Sequence, residues 1–146
     1  KKIQEMLKKL QDGIKATPGQ NVKFEKAYSD YFAKEGQKFQ KANDIAKAAE
    51  NFTKSSQVSN KQLKARGLLS LGTLYFNNGA SILQKATPYA TSEKEKYEAE
   101  KAKALADFKK AQDYLKQAAT VEPTNEAVKE TQKQVAEAIA PLVEKK

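Results

Sequence analysis

Leu68-Leu69-Ser70-Leu71-Gly72-Thr73-Leu74-Tyr75, answered downstream by Ala111-Gln112-Asp113-Tyr114-Leu115-Lys116-Gln117-Ala118 and then Pro123, decides the fold of this chain. Leu68, Leu71 and Tyr75 recur at spacings of three and four, so they share one stripe of a helix. Gly72 lies on that stripe and lets a second helix approach closely. Ala111, Leu115 and Ala118 again share a face, with small residues where a neighbour crosses. Pro123 cannot continue the helix and stops it. The two segments therefore read as an antiparallel helix pair packed at short range.

The rest of the composition agrees with an all-α chain. Its 146 residues are one domain's worth, 39% apolar and 31% charged, and helix-favouring Ala, Lys, Glu and Gln dominate. No apolar run approaches the roughly 18 residues of a membrane span. There is no Cys, His or Trp, which removes thiol chemistry, disulfides and the commonest metal and acid–base ligands. The acids Glu93, Glu95, Glu98 and Glu100 sit among lysines, which for Glu93, Glu98 and Glu100 lie three or four residues away, the spacing of surface ion pairs. No Gly-rich phosphate loop or nucleophile elbow is present. The reading is a non-enzyme without cofactor or metal.

The net charge of +9 is spread, with 13 basic against 7 acidic residues in 1–62 and 14 against 11 in 63–146. Arg66 is the single arginine. Nucleic-acid sites cluster charge and favour arginine forks, so no specific nucleic-acid site is expected. The chain begins Lys1-Lys2, so no targeting signal can be read from it. Its Lys-rich, Cys-free make-up leans towards a periplasmic or otherwise exported setting over a cytoplasmic one.

Along the chain, Ile3, Met6, Leu7, Leu10 and Ile14 predict a first helix over 3–15, broken at Thr17-Pro18-Gly19. Met6, Leu10, Gly13 and Pro18 repeat the spacing of Ala111, Leu115, Ala118 and Pro123. That identifies 1–18 as a partial repeat and the whole as a fragment of a longer array. A second helix is expected from about Gln20 to Ala42, burying Phe24, Ala27, Tyr28, Tyr31, Phe32 and Phe39. Asn43-Asp44 is a turn signal. A third helix, to about Val58, carries Ile45, Ala48, Phe52 and Ser55. A second register is visible, because Tyr31-Phe32 matches Tyr75-Phe76 at an offset of 44. The Asn43-Asp44 turn favours the first. Ser59-Asn60 opens a fourth helix, extending past Asn78-Gly79 to about Ala86, where Pro88 forces a break. Ser92 and Glu95 form a capping box for a fifth. Thr124 or Asn125 starts a sixth, with Val128, Val135, Ala138 and Ile139, as a polar-backed cap.

The pattern of Leu68, Leu71-Gly72, Tyr75, Ala111, Leu115, Ala118 and Pro123 resembles the tetratricopeptide-repeat signature. From Ser29, a second copy of about 34 residues places Phe32, Gly36, Phe39, Ala48, Phe52 and Ser55 at the same positions, with Glu35 and Asn60 departing from it. Tyr75 to Ala111 spans 36 residues where the signature has about 9, so about 27 are inserted. The domain then divides into the partial repeat at 1–18, a repeat at 20–60, a repeat at 63–123 with its insertion at about 80–107, and a capping helix at 124–146. The Lys/Glu/Ala-rich insertion is also similar to repeat proteins of Bacteroidetes-type bacteria. The resemblance implies about six helices in stacked antiparallel pairs, one pair elongated, forming a short right-handed superhelix.

It further implies a protein-interaction scaffold that binds a peptide or helix in a concave groove. Groove positions carried over are Arg66, Leu69, Thr73, Phe76 and Asn77, and, in the earlier repeat, Asp30, Ala33, Gln37, Gln40 and Lys41. Leu69 and Phe76 would form an apolar platform, with Arg66 and Asn77 for carboxylate or backbone groups. The alternative is that Phe76 packs on a neighbouring helix. The family's two-carboxylate clamp needs Lys and Asn where Ala33, Gln37, Leu69 and Thr73 stand, so binding of that kind is not expected. Tyr89 and Tyr97, in or beside the insertion, are candidates for a second contact surface, or for tucking onto the hairpin itself. Two other functions stay open: docking on an anionic surface (membrane or nucleic acid), and a structural role with self-association through the insertion.

Overall fold

The computed structural model describes residues 22–143 and, before them, Glu5, Lys8, Lys9 and Asp12. Of the expected first helix at 3–15, Glu5, Lys8, Lys9 and Asp12 are described and are helical; the rest of it and its break lie outside the described residues. From residue 22 to 143 the chain forms five helices and one 3-10 turn: α1 (Val22–Lys41), α2 (Ile45–Ser56), α3 (Lys61–Ala86), the 3-10 turn Thr87–Tyr89, α4 (Lys94–Val121) and α5 (Glu126–Val143). Helices α1 with α2 and α3 with α4 make antiparallel pairs. The second pair is elongated, and α5 covers α4.

Local chemistry sets the boundaries. Asn43 takes a left-handed conformation (φ 62°) after α1, and Asp44 caps α2 by accepting from the Lys47 N–H at 3.1 Å. Asn60 caps α3 through Leu63 N at 3.0 Å, and Asn125 caps α5 through Val128 N at 3.1 Å. The capping box expected at Ser92 does not form. Glu93 is the N-cap of α4, and no side chain closes it. A backbone bond from Glu93 N to Tyr89 O, 3.0 Å, tightens the connection from the 3-10 turn and sets that start one residue later.

Two close approaches carry the repeat geometry. A Cβ on Gly36 would lie 2.5 Å from the Phe52 ring, and one on Gly72 would lie 2.7 Å from Leu115 Cγ. Each pair joins the first helix of a hairpin to the second, at equivalent positions of the two repeats. The core follows from this contact. Ala48, Phe52, Leu68, Leu71, Leu74, Ala118 and Val128 form one buried cluster, and Ala104, Phe108, Ala111, Leu115 and Val135 form another.

Helix α1 departs from the expected burial. Phe24 is 41% exposed and Ala27 is exposed, while Tyr31 and Phe39 are half-buried. Glu25 and Ser29 are buried with Tyr28 and Phe32. The inward stripe runs through 25, 28, 29, 32 and 36, and positions 24 and 27 fall beside it. Glu25 is admitted because it is satisfied: its carboxylate accepts from Asn60 N at 2.8 Å, Ser59 N at 3.1 Å and Ser59 Oγ. That ties α1 to the start of α3.

Candidate interaction face

The predicted groove residues lie on α1 and α3, the first helices of the two hairpins. Arg66 is where the two helices are bridged. Its Nη1 lies 2.7 Å from Asp30 Oδ1, and Nη2 donates to Ser29 Oγ at 2.8 Å. Ser29 in turn donates to Ser55 O, and Ser55 Oγ donates to Ser29 O, both at 2.8 Å. The Lys26 ammonium at 2.6 Å, followed by the Arg66 guanidinium, holds the Asp30 carboxyl below its usual range. Arg66 is thus engaged within the molecule by Asp30 and Ser29, while its side chain stays 41% exposed.

Leu69 and Phe76 are also drawn inward. Both are half-buried against the second cluster, and the Phe76 ring lies 5.6 Å from Phe108, tilted by 41°. Phe76 thus packs on α4, and both residues stay partly exposed on the α3 face. Thr73 and Ala33 are half-buried, and Gln37, Lys41 and Asn77 are exposed.

Gln40 and Asn77 are brought together. They border a pocket of about 120 Å³ with Asn43, Asn78 and Ser81, floored by Ile45 and Leu74. Asn78 Nδ2 donates to Asp107 Oδ2 of α4 at 2.6 Å, which fixes one wall. Sequence reading missed Asn78 because Asn78-Gly79 resembles a helix end. It missed Asn43 because a turn residue there needs no other role.

Tyr89 and Tyr97 are half-buried near the far end of the elongated hairpin, with Lys96 Nζ 3.8 Å above the Tyr89 ring. The acids of this hairpin form surface pairs, Glu98 with Lys101 at 3.3 Å and Glu100 with Lys103 at 3.0 Å. A larger concavity, about 480 Å³, lies between α2, α3 and α4 and contains none of the predicted residues. Tyr114 lines it and stacks on Tyr75 at 5.9 Å. Burial pushes both phenols above their ordinary range, with Asp107 adding to the rise at Tyr75. No described helix is long and apolar enough to cross a membrane.

No family profile and no curated protein matches the chain. A solved crystal structure of a TPR-repeat protein from Bacteroides fragilis is similar over 93% of this chain, at 52% sequence identity and a TM-score of 0.89. This chain spans 60% of the length of that protein. Stacked repeats of this kind serve in general as protein-interaction scaffolds, typically non-catalytic, through their concave surfaces. With that likeness, and with Gly36–Phe52 and Gly72–Leu115 in matching register, the chain is an all-α stack of tetratricopeptide-type helix pairs.

Proposed function

We propose that this chain is a non-catalytic scaffold holding an extended polypeptide segment of a partner protein along the face shared by α1 and α3. The observation that carries the reading is the uncharged polar pocket joining Gln40 of α1 to Asn77 of α3, three residues from exposed Gln37. Carboxamides and a hydroxyl around an apolar floor suit a peptide, which offers donors and acceptors in alternation. Arg66 and Phe76 contribute by holding the face in shape.

The test places a photo-crosslinking benzoylphenylalanine at Gln37, with Lys109 on the exposed side of α4 as the control. A partner polypeptide should crosslink from position 37 and not from 109, and Asn77→Arg should suppress it with circular dichroism unchanged. Equal crosslinking from 109 would move the contact to another face. Binding that collapses between low and physiological salt would mark a lysine-driven contact with an anionic surface instead.

A further inference from the structure

The first hairpin turns back at Asn43, while α3 continues alongside α4 as far as Ala86. The pocket of about 120 Å³ sits at that step. We infer that it anchors one uncharged carboxamide, an asparagine or glutamine side chain of the partner segment, and discriminates against the matching carboxylates. This rests on the groove reading above and adds the chemistry of the bound side chain.

Size is the first argument. Small-molecule sites are usually about 300–1,000 Å³, and this pocket takes a single side chain. Charge is the second. Although 31% of the chain is charged, every polar group bordering the pocket is neutral: Gln40, Asn43, Asn77, Asn78 and Ser81. Carboxamides and hydroxyls each offer both donors and acceptors. A ligand carboxamide can answer both, whereas a carboxylate only accepts and an ammonium only donates.

Orientation is the third argument. Asp107 as a carboxylate only accepts, so the bond at 2.6 Å assigns the amino side of Asn78 to it and leaves the Asn78 carbonyl oxygen as an acceptor. A ligand carboxylate beside Asn78 could draw no hydrogen bond from that oxygen and would add its charge to that of Asp107, which holds Asn78. Arg66 does not border the pocket and cannot compensate there.

The experiment selects phage-displayed random dodecapeptides on the full chain, then measures the consensus peptide by calorimetry. The expected result is a fixed Gln or Asn. Changing it to Glu or Asp, or pairing the peptide with an Asn77→Ala, Ser81→Ala double variant, should weaken binding about tenfold. Peptides lost on Gln37→Arg but carrying an acidic or lysine anchor would overturn the carboxamide inference and leave the groove reading standing. The same holds for peptides indifferent to the double variant. Peptides indifferent to Gln37→Arg, or no enrichment at all, would overturn both.

Discussion

The α1/α2 hairpin is fastened to its surroundings by polar groups, and the α3/α4 hairpin by small residues at a fixed step. In the first, Glu25, Ser29 and Ser55 are buried, and Ser29, Ser55, Asp30 and Arg66 form one hydrogen-bonded chain reaching α3. In the second, Ala65, Gly72, Gly79 and Ala86 recur every seven residues along α3, all buried. Ala104, Ala111 and Ala118 answer at the same step on α4, with Phe108 and Leu115 between them. A Cβ on Gly79 would lie 2.8 Å from the Phe108 ring, which repeats the Gly72–Leu115 contact seven residues further on. The insertion therefore continues an existing seam with the coiled-coil period. A repeat tolerates added turns when they keep the spacing of its close approaches, and no new kind of contact is needed.

If the elongated hairpin is one continuous seam, the knob at the border of its insertion should weigh as much as the knob of the short hairpin. Phe108 and Phe52 are 1% and 2% exposed. Phe108→Ala and Phe52→Ala should each destabilise by about 3–5 kcal/mol in denaturant titrations. A Phe108→Ala cost below about 1 kcal/mol would show that the seam already loosens beside the insertion and break the comparison.

The next effect separates joints between hairpins from seams within one. A Cβ on Gly67 would meet backbone atoms of Ser56 at 2.7 and 2.8 Å, whereas one on Gly72 meets only the flexible side chain of Leu115. Backbone cannot step aside as a leucine can, and both positions gain about 1 kcal/mol of helix propensity from alanine. Gly67→Ala should therefore cost about 2 kcal/mol, near the middle of the overpacking range, and Gly72→Ala clearly less. Equal costs would mean that the inter-hairpin joint yields as readily as the seam.

These contrasts explain what was legible beforehand. Turn and cap residues act locally, so Asn43-Asp44, Asn60 and Pro123 located the ends of α1 to α4 almost to the residue, and Gly36 and Gly72 located the close approaches. The polar fastening was not legible. Burial of Glu25 depends on Ser59 and Asn60, 34 and 35 residues away, and hydrophobic periodicity assigns an acid to the surface and Phe24 to the core. The proposed groove was legible as helix faces only. Asp30 and Arg66 were each placed on a face, but their pairing arises where two helices meet, and it removes Arg66 from the free cations. The heptad of small residues in α3 and α4 was present in the sequence, masked because the insertion interrupts the repeat signature there.

The smallest effect tests the polar fastening through pH. Asp30 bridges Lys26 and Arg66, and its carboxyl is held below the usual 3.8. A depressed folded value stabilises the protein above the unfolded value, and that contribution is lost as pH falls through the folded one. The side chain is 31% exposed, so solvent screening keeps the contribution at about 1 kcal/mol or less. Melting temperatures of the wild type should thus drop more steeply than those of Asp30→Asn as pH is lowered from about 5 to below 3.8. The two curves should run parallel above that window. Across the α3/α4 seam Asp107 bonds the neutral Asn78 amide, and among the described residues no carboxylate pairs with a cation there, so the excess acid sensitivity should appear as earlier loss of hydrogen-exchange protection in α1 than in α4. Parallel curves throughout, or protection lost first in α4, would place the acid-sensitive contact outside the first hairpin and remove polar fastening as the property that distinguishes the two.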